Sequence, residues 1–233
     1  MEEFSQNKFV KVTTPLEDRS VLLVELNRSP VNAFNQPFWE ELGATFDKIS
    51  RDGTIRAVVL ASSFDKIFTA GLDLADTGSL RNDDDTDPAR EALRLRDHVL
   101  EVDVGLAADI GTLARLPKIT GNESFLRELA LTAREFGPDE AMKLGMVSKV
   151  VEGARKEVVA AALDTARIIA SKSPIATVGT KRILLHARDH SVEENLEYTA
   201  TWNQVLLQST DTIEAFKSFR TKQPPKFKPL PKL

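Results

Sequence analysis

The chain has 233 residues, 42% of them hydrophobic and 28% charged, with a formal net charge of −4. That balance fits a globular domain with or without a helical extension and argues against a broad basic face for nucleic acid. Cysteine is absent, which excludes disulfides, thiol catalysis and a cysteine zinc site. The first residues are acidic and polar rather than signal-like, and no apolar run nears the roughly 20 residues of a membrane span.

Residues 9–13 alternate apolar and polar and predict a strand. Residues 20–26 predict a second, with Glu17-Asp18-Arg19 as the turn between them. Residues 27–35 form a loop. Residues 36–51 predict a helix, because Phe38, Leu42, Phe46 and Ile49 recur at helical spacing and Pro37 sits in the first turn. Residues 56–62 predict a strand in which Val58-Val59-Leu60 shows no alternation, so burial on both faces is expected. Strand, helix, strand implies a parallel pair joined by a right-handed crossover. Residues 67–74 then turn out of that strand. Gly71 suits a tight bend, and Asp73 suits the cap of a following helix. Backbone N–H groups at such a turn can bind an oxyanion or simply water.

The aspartates Asp83, Asp84, Asp85 and Asp87 lack a spaced ligand pattern and read as a solvated loop. Residues 88–100 predict a basic amphipathic helix that meets Glu101 with no Gly, Pro or Asn at the junction. Next, Glu101 and Asp109 stand among Val, Leu, Ala and Gly. Acids are rarely buried without a partner, and an apolar cleft raises a carboxyl pKa toward neutrality. Two such acids suit proton transfer, one removing a proton and the other returning one. Solvated or ion-paired surface acids are the other reading of the same residues.

Residues 124–135 and 138–144 predict helices, and 145–151 a short strand. Residues 157–171, 174–187 and 192–220 predict three more helices, the last opened by a Ser191/Glu194 capping box. Trp202, Val205, Leu206, Ile213, Phe216 and Phe219 give that last helix a large apolar face, suited to a partner subunit. The Pro- and Lys-rich residues 221–233 predict an extended, unpacked tail. Its final Pro231-Lys232-Leu233 is similar to the Ser-Lys-Leu peroxisomal address. The organisation expected is an α/β core over residues 1–150, a helical region over 151–220 and the tail. His98, His186 and His190 form no metal pattern and suit a helix surface. No P-loop, Gly-x-Ser-x-Gly elbow or dinucleotide glycine motif occurs.

Several segments together resemble the enoyl-CoA hydratase/isomerase (crotonase) superfamily. They are Leu26-Asn27-Arg28-Ser29-Pro30 with Asn32-Ala33-Phe34-Asn35, Phe68-Thr69-Ala70-Gly71-Leu72-Asp73-Leu74, residues 101–122, Leu131-Thr132-Ala133-Arg134 with Glu140-Ala141, and Gly145-Met146-Val147. The run from Glu101 to Asp109, with Arg188-Asp189-His190-Ser191 and the Pro-Lys-Leu end, is similar to dienoyl-CoA isomerases. The resemblance implies a crotonase-like α/β fold, a spiral of ββα repeats with a C-terminal helical trimerisation region. It also implies an isomerase that shifts 3,5 double bonds of a dienoyl-CoA to 2,4 in β-oxidation.

In that family pattern the thioester oxygen accepts hydrogen bonds from two backbone N–H groups, one mapping to Leu72, while Glu101 and Asp109 map to the proton carriers. Arg28, Val31, Ala33, Ala70 and Gly71 map to the CoA-binding walls. No metal and no separate cofactor is implied, since CoA is part of the acyl-CoA thioester substrate. A homotrimer or hexamer, a peroxisomal import receptor as partner and residence in the peroxisome are implied as well.

The sequence departs from the family at one place. Between the segments matching residues 88–100 and Glu101, the family has a further strand, a glycine-rich loop and a helix, which supply the second oxyanion donor. Here Leu100 is followed directly by Glu101. A mis-spliced or mispredicted product and a shortened paralogue would both leave that junction. Two other functions fit the resemblance: a hydratase-like enzyme of fungal decatrienoate-type toxin biosynthesis, and an inactive member that binds CoA or co-assembles with intact subunits.

Overall fold

The central element is β2 (Val21–Leu26), a strand with side chains buried on both faces. The computed structural model describes residues 2–17, 19–71, 73 and 111–231. A short 3-10 turn (Glu2–Phe4) precedes β1 (Val10–Thr13), which pairs antiparallel with β2, Val10 opposite Leu26. After β2 the chain makes a loop and then α1 (Gln36–Ser50), and β3 (Ala57–Ser62) returns parallel to β2, Leu26 opposite Ser62. The parallel pair and intervening helix are those the hydrophobic pattern predicts.

α1 starts where Asn35 accepts a hydrogen bond from Phe38 N–H, with Pro37 in the first turn. Its Phe38 and Ile49 pack on Val10, Leu22, Val24 and Leu26, which form one face of the sheet. Glu41 accepts hydrogen bonds from the N–H groups of Lys8, Phe9 and Val10 at 2.8, 2.7 and 2.7 Å, so a helix carboxylate closes the start of β1. The opposite face is covered by α5 (Arg155–Ala170), whose Ala166 packs on Val21 and Val59. The first helix of the C-terminal region therefore completes the sheet core. Arg155 fastens its start: the guanidinium pairs with the buried Glu25 and donates to Ser62 C=O.

The expectation for Val58-Val59-Leu60 holds at Val59, which is buried, and fails at Leu60, which is 42% exposed. Among the described residues β3 is bonded to β2 alone, and Leu60 lies outside the cluster that takes in Val58.

From Gly111 the chain is helical: α2 (Thr112–Arg115), a 3-10 turn (Leu116–Lys118), α3 (Glu123–Thr132), α4 (Pro138–Leu144), α5, α6 (Pro174–His186), α7 (Val192–Leu206) and α8 (Thr210–Thr221). Three expectations need correction here. Residues 145–151 are not a strand. Gly145, at φ 77°, ends α4 with bonds from its own N–H to Met142 C=O and from Met146 N–H to Ala141 C=O, and no strand among the described residues pairs with residues 146–151. The single helix over 192–220 is two. Ser209 caps α8, the Thr212 hydroxyl turns back to Leu206 C=O, and the buried Asp211 accepts from Ser173 at 2.6 Å, so short polar side chains compete with the helix at that point. The tail is extended but not unpacked: Lys226 N–H donates to Glu214, and the Leu230 carbonyl lies against Gly53.

α3 and α4 are joined by Arg134, which donates to Glu128 at 2.6 Å and to Glu140 at 2.8 Å. These bonds hold both carboxyls below their ordinary pKa of 4.5. Because the folded-state values are depressed, the contribution is fully present above that value and is lost as pH falls through the lower folded values. Arg134→Met should remove part of the loss of stability between about pH 5 and pH 3, read from thermal melts across that range.

Candidate active site

β2 and β3 are parallel, so the loops leaving their C-terminal ends emerge side by side, the usual place for a ligand site in a parallel sheet. The first loop is residues 27–35 and the second is 63–73. Asn32 joins them. It is completely buried, at φ 52°, a left-handed conformation that Asn tolerates better than most side chains. Its side-chain amide donates to Ser62 Oγ and to Phe68 C=O, both at 2.9 Å, while its Oδ1 accepts from Arg28 N–H at 2.7 Å. The Asn32 carbonyl accepts from Thr69 Oγ1 at 2.7 Å.

Backbone bonds extend the junction. Ala70 N–H donates to Val31 C=O at 2.9 Å, Phe34 N–H to Gly71 C=O at 2.7 Å, and Asp73 N–H to Phe34 C=O at 2.8 Å. Arg28 spans both loops, donating to Ala33 C=O and to the Asp73 carboxylate, each at 2.6 Å. Asp73 thus takes a guanidinium; the helix it was expected to cap lies outside the described residues. Phe34 stacks on Phe38 and Trp39 with ring centroids 4.5 and 4.3 Å apart, which fixes the first loop to α1.

The structure brings Arg28, Val31, Ala33, Ala70 and Gly71 together at this mouth. Val31, Ala33 and Gly71 are half-buried and Ala70 is exposed. Gly71 has φ 79°, the tight bend its sequence position suggests. The Gly71 N–H is held by Thr69 Oγ1 at 3.0 Å. With Ala70 and Asp73 also engaged, none of these three N–H groups is free for a thioester oxygen. Leu72, Glu101, Asp109, Lys232 and Leu233 lie outside the described residues, as do His98 and the predicted elements over 74–110. Pro231, described and exposed, is remote in sequence from the loops.

Nothing in the sequence marks Asn32, Ser62 or Thr69 as site residues. An Asn followed by Ala33-Phe34 in a loop carries no signal of burial; only the meeting of two loops creates it. His186, half-buried, and His190, exposed, stack at 3.6 Å between centroids, and their Nδ1 atoms bond to Asn195 Oδ1 and His186 C=O. Among the described residues no cluster of three potential metal ligands occurs, and no helix is long and apolar enough to cross a membrane.

The profile of the family described as Enoyl-CoA hydratase/isomerase matches residues 17–104 and 98–229. The chain belongs to the enoyl-CoA hydratase/isomerase family. It is 36% identical to the mitochondrial Δ(3,5)-Δ(2,4)-dienoyl-CoA isomerase of Mus musculus over 273 aligned positions, covering 95% of this chain and 83% of the mouse protein. It is 46% identical over 129 positions to the peroxisomal Δ(3,5)-Δ(2,4)-dienoyl-CoA isomerase of Arabidopsis thaliana, covering 55% of this chain and 46% of the plant protein. The enoyl-CoA hydratase structure from Bacillus anthracis superposes with a TM-score of 0.82 at 20% identity, covering 95% of this chain and 99% of that one, which establishes the crotonase fold.

The family match comes in two pieces that meet around the Leu100–Glu101 junction. The mouse alignment is also longer than the stretch of this chain it covers. The difference is about 50 positions, more than one βαβ unit of about 30 residues. A central βα segment of the family is therefore missing from this sequence.

Asn32→Ala would leave Arg28 N–H, the Phe68 carbonyl and the Ser62 hydroxyl without their shared partner. It should cost about 2–4 kcal/mol in urea unfolding, whereas exposed Asn27→Ala should change stability by less than about 0.5 kcal/mol.

Proposed function

We propose that this chain is a shortened enzyme of the dienoyl-CoA isomerase type, acting on the CoA thioester of an unsaturated acyl chain in β-oxidation. The observation that carries this reading is the 36% identity to the mouse isomerase across 95% of the chain. The family match over residues 98–229 takes in both Glu101 and Asp109.

The thioester oxygen would lie at the mouth formed by the two Asn32-linked loops. Leu72 N–H is the proposed donor, a role supported by the engagement of the N–H groups of Ala70, Gly71 and Asp73 elsewhere. Charge developing on that oxygen as the proton leaves carbon is what such a donor stabilises, and removing one costs roughly 3–4 kcal/mol in well-studied enzymes. Asp109 and Glu101 are the proposed proton carriers, one acting near the thioester and the other at the far end of the conjugated system. Val31, Ala33, Ala70 and Gly71 would bound the CoA arm. Arg28 would shape that wall through Ala33 and Asp73. CoA belongs to the substrate, and the reaction as written uses no metal or separate cofactor.

The missing βα segment would hold the second oxygen donor. The 233-residue chain should therefore bind an acyl-CoA weakly and turn it over little, while a form with the segment restored should be active. Both can be purified and followed by loss of 3,5-dienoyl-CoA; full activity from the short chain would overturn this account of the gap. In the restored form, Glu101→Gln and Asp109→Asn should each lower turnover by at least roughly a hundredfold. Near-normal rates in either variant would remove that residue from the mechanism.

Assembly as a trimer or hexamer is proposed from the exposed apolar side chains of the last two helices, Val205, Ile213, Phe216 and Phe219. Peroxisomal residence is proposed from Pro231-Lys232-Leu233, with support from the peroxisomal plant relative; the mouse relative is described as mitochondrial. A fluorescent protein carrying the last dozen residues should become punctate with a peroxisomal marker. Fluorescence as diffuse as that of a version lacking Leu233 would count against the assignment.

A further inference from the structure

The residues after α8 are strapped to the folded core at both ends of their described length. Ser218 Oγ donates to Gln223 C=O at 2.6 Å and Lys226 N–H donates to the Glu214 carboxylate at 3.1 Å, so α8 holds the start of the strap. Pro225, Phe227 and Leu230 are half-buried, while Lys226, Lys228 and Pro229 between them are exposed. The far end rests on the turn between α1 and β3. The Leu230 carbonyl lies so close to Gly53 that an added Cβ would overlap it. Gly53 is not at a positive φ, so the close approach alone is what calls for glycine there. Leu230 also borders a void of about 50 Å³ lined by Ile55, Ile169, Pro174 and Val178. These residues come from the α1–β3 turn, α5 and α6, three stretches that only the folded chain brings together. Ile169 and Val178 remain 41% and 42% exposed, so the seat is shallow and the strap can leave it without opening the core.

This fastening bears on the residues beyond it. Pro231-Lys232-Leu233 follow Leu230 directly. At about 3.5 Å per extended residue, three residues reach at most about 10 Å from the seat. A receptor that reads a short C-terminal peptide by its side chains and carboxylate encloses that peptide on several sides. A receptor wall as thick as one helix, about 10–12 Å, would meet the α1–β3 turn and α6 before it closed over the tripeptide.

We propose that the seat at Gly53 withholds the C-terminal address, so that an import receptor binds only those molecules in which Leu230 has left it. This rests on the reading of Pro231-Lys232-Leu233 as a peroxisomal address. The apparent affinity of the folded chain is then the intrinsic affinity of the tail reduced by the released fraction. An incompletely folded chain has no seat and displays its tail in full, so the strap makes recognition depend on the state of the core. The proposed isomerase chemistry is not involved.

The test is competition for a purified peroxisomal import receptor, read by the fluorescence anisotropy of a labelled peptide of residues 222–233. The unlabelled peptide should displace it well. The full 233-residue protein should do so at least roughly tenfold more weakly, which corresponds to a released fraction of about a tenth or less. Gly53→Ala should push the Leu230 carbonyl away, and Val178→Asp should make the exposed side of the seat polar; neither alters the tail. Each should move the full chain toward the affinity of the free peptide and speed tryptic cleavage after Lys226, with circular dichroism melts showing that both variants fold. A wild-type chain that competes as well as the free peptide overturns the proposal. So do folded Gly53→Ala and Val178→Asp proteins that compete no better than wild type. A free peptide that fails to bind the receptor overturns the reading of the address itself, and the withheld address with it, so the peptide alone tells the two failures apart.

Discussion

The site depends on one buried amide. Asn32 sits where two loops leave adjacent parallel strands, and its side chain uses both donors and its acceptor to join them. Two such loops have no intrinsic reason to run together, since each could satisfy its backbone in water. A fully buried Asn without partners would be strongly unfavourable, so the native state is the arrangement that gives it all three. The short ladder involving Val31, Phe34, Ala70, Gly71 and Asp73 follows from that alignment. Arg28 then closes the outside of the junction with a charge-assisted bond to Asp73, the kind that holds geometry as well as energy.

The ends of the parallel strands are held from the other face by α5. Glu25 is an acid near the end of an otherwise apolar strand, and Arg155 makes its burial tolerable while gripping the Ser62 carbonyl. Ser62 is therefore contacted from both sides, by Asn32 through its hydroxyl and by Arg155 through its carbonyl. The helix that covers the core and the loops that form the mouth are fixed to the same residue. The half-exposed Leu60 marks where this order stops among the described residues, since β3 pairs with β2 alone there.

Much of the fold was legible beforehand because it rests on local periodicity. The α1 face of Phe38, Leu42, Phe46 and Ile49, the apolar β2 and the Ser191–Glu194 capping box all encode their structures within a few residues. The failures came where a distant partner decides. Residues 145–151 are apolar enough for a strand, but a strand needs an edge to join. Residues 192–220 carry one continuous apolar pattern, yet Ser173 binding Asp211 helps break it into two helices. A Pro- and Lys-rich tail has the composition of a free chain, but Gly53 offers a flat surface where the Leu230 carbonyl can rest.

By itself the sequence determined the family, the strand–helix–strand core and the loops at which the mouth would form, because segment spacing and residue type carry that information along the chain. It also exposed the abrupt Leu100–Glu101 junction, which is a property of order alone. Only the tertiary structure decided which polar groups are held: Asn32 buried between loops, Arg28 paired with Asp73, and Arg155 neutralising Glu25. Those bonds join residues 30 to 130 positions apart. A hydrogen bond across such a separation depends on where the folded backbone places both partners, and no short window of sequence contains them together.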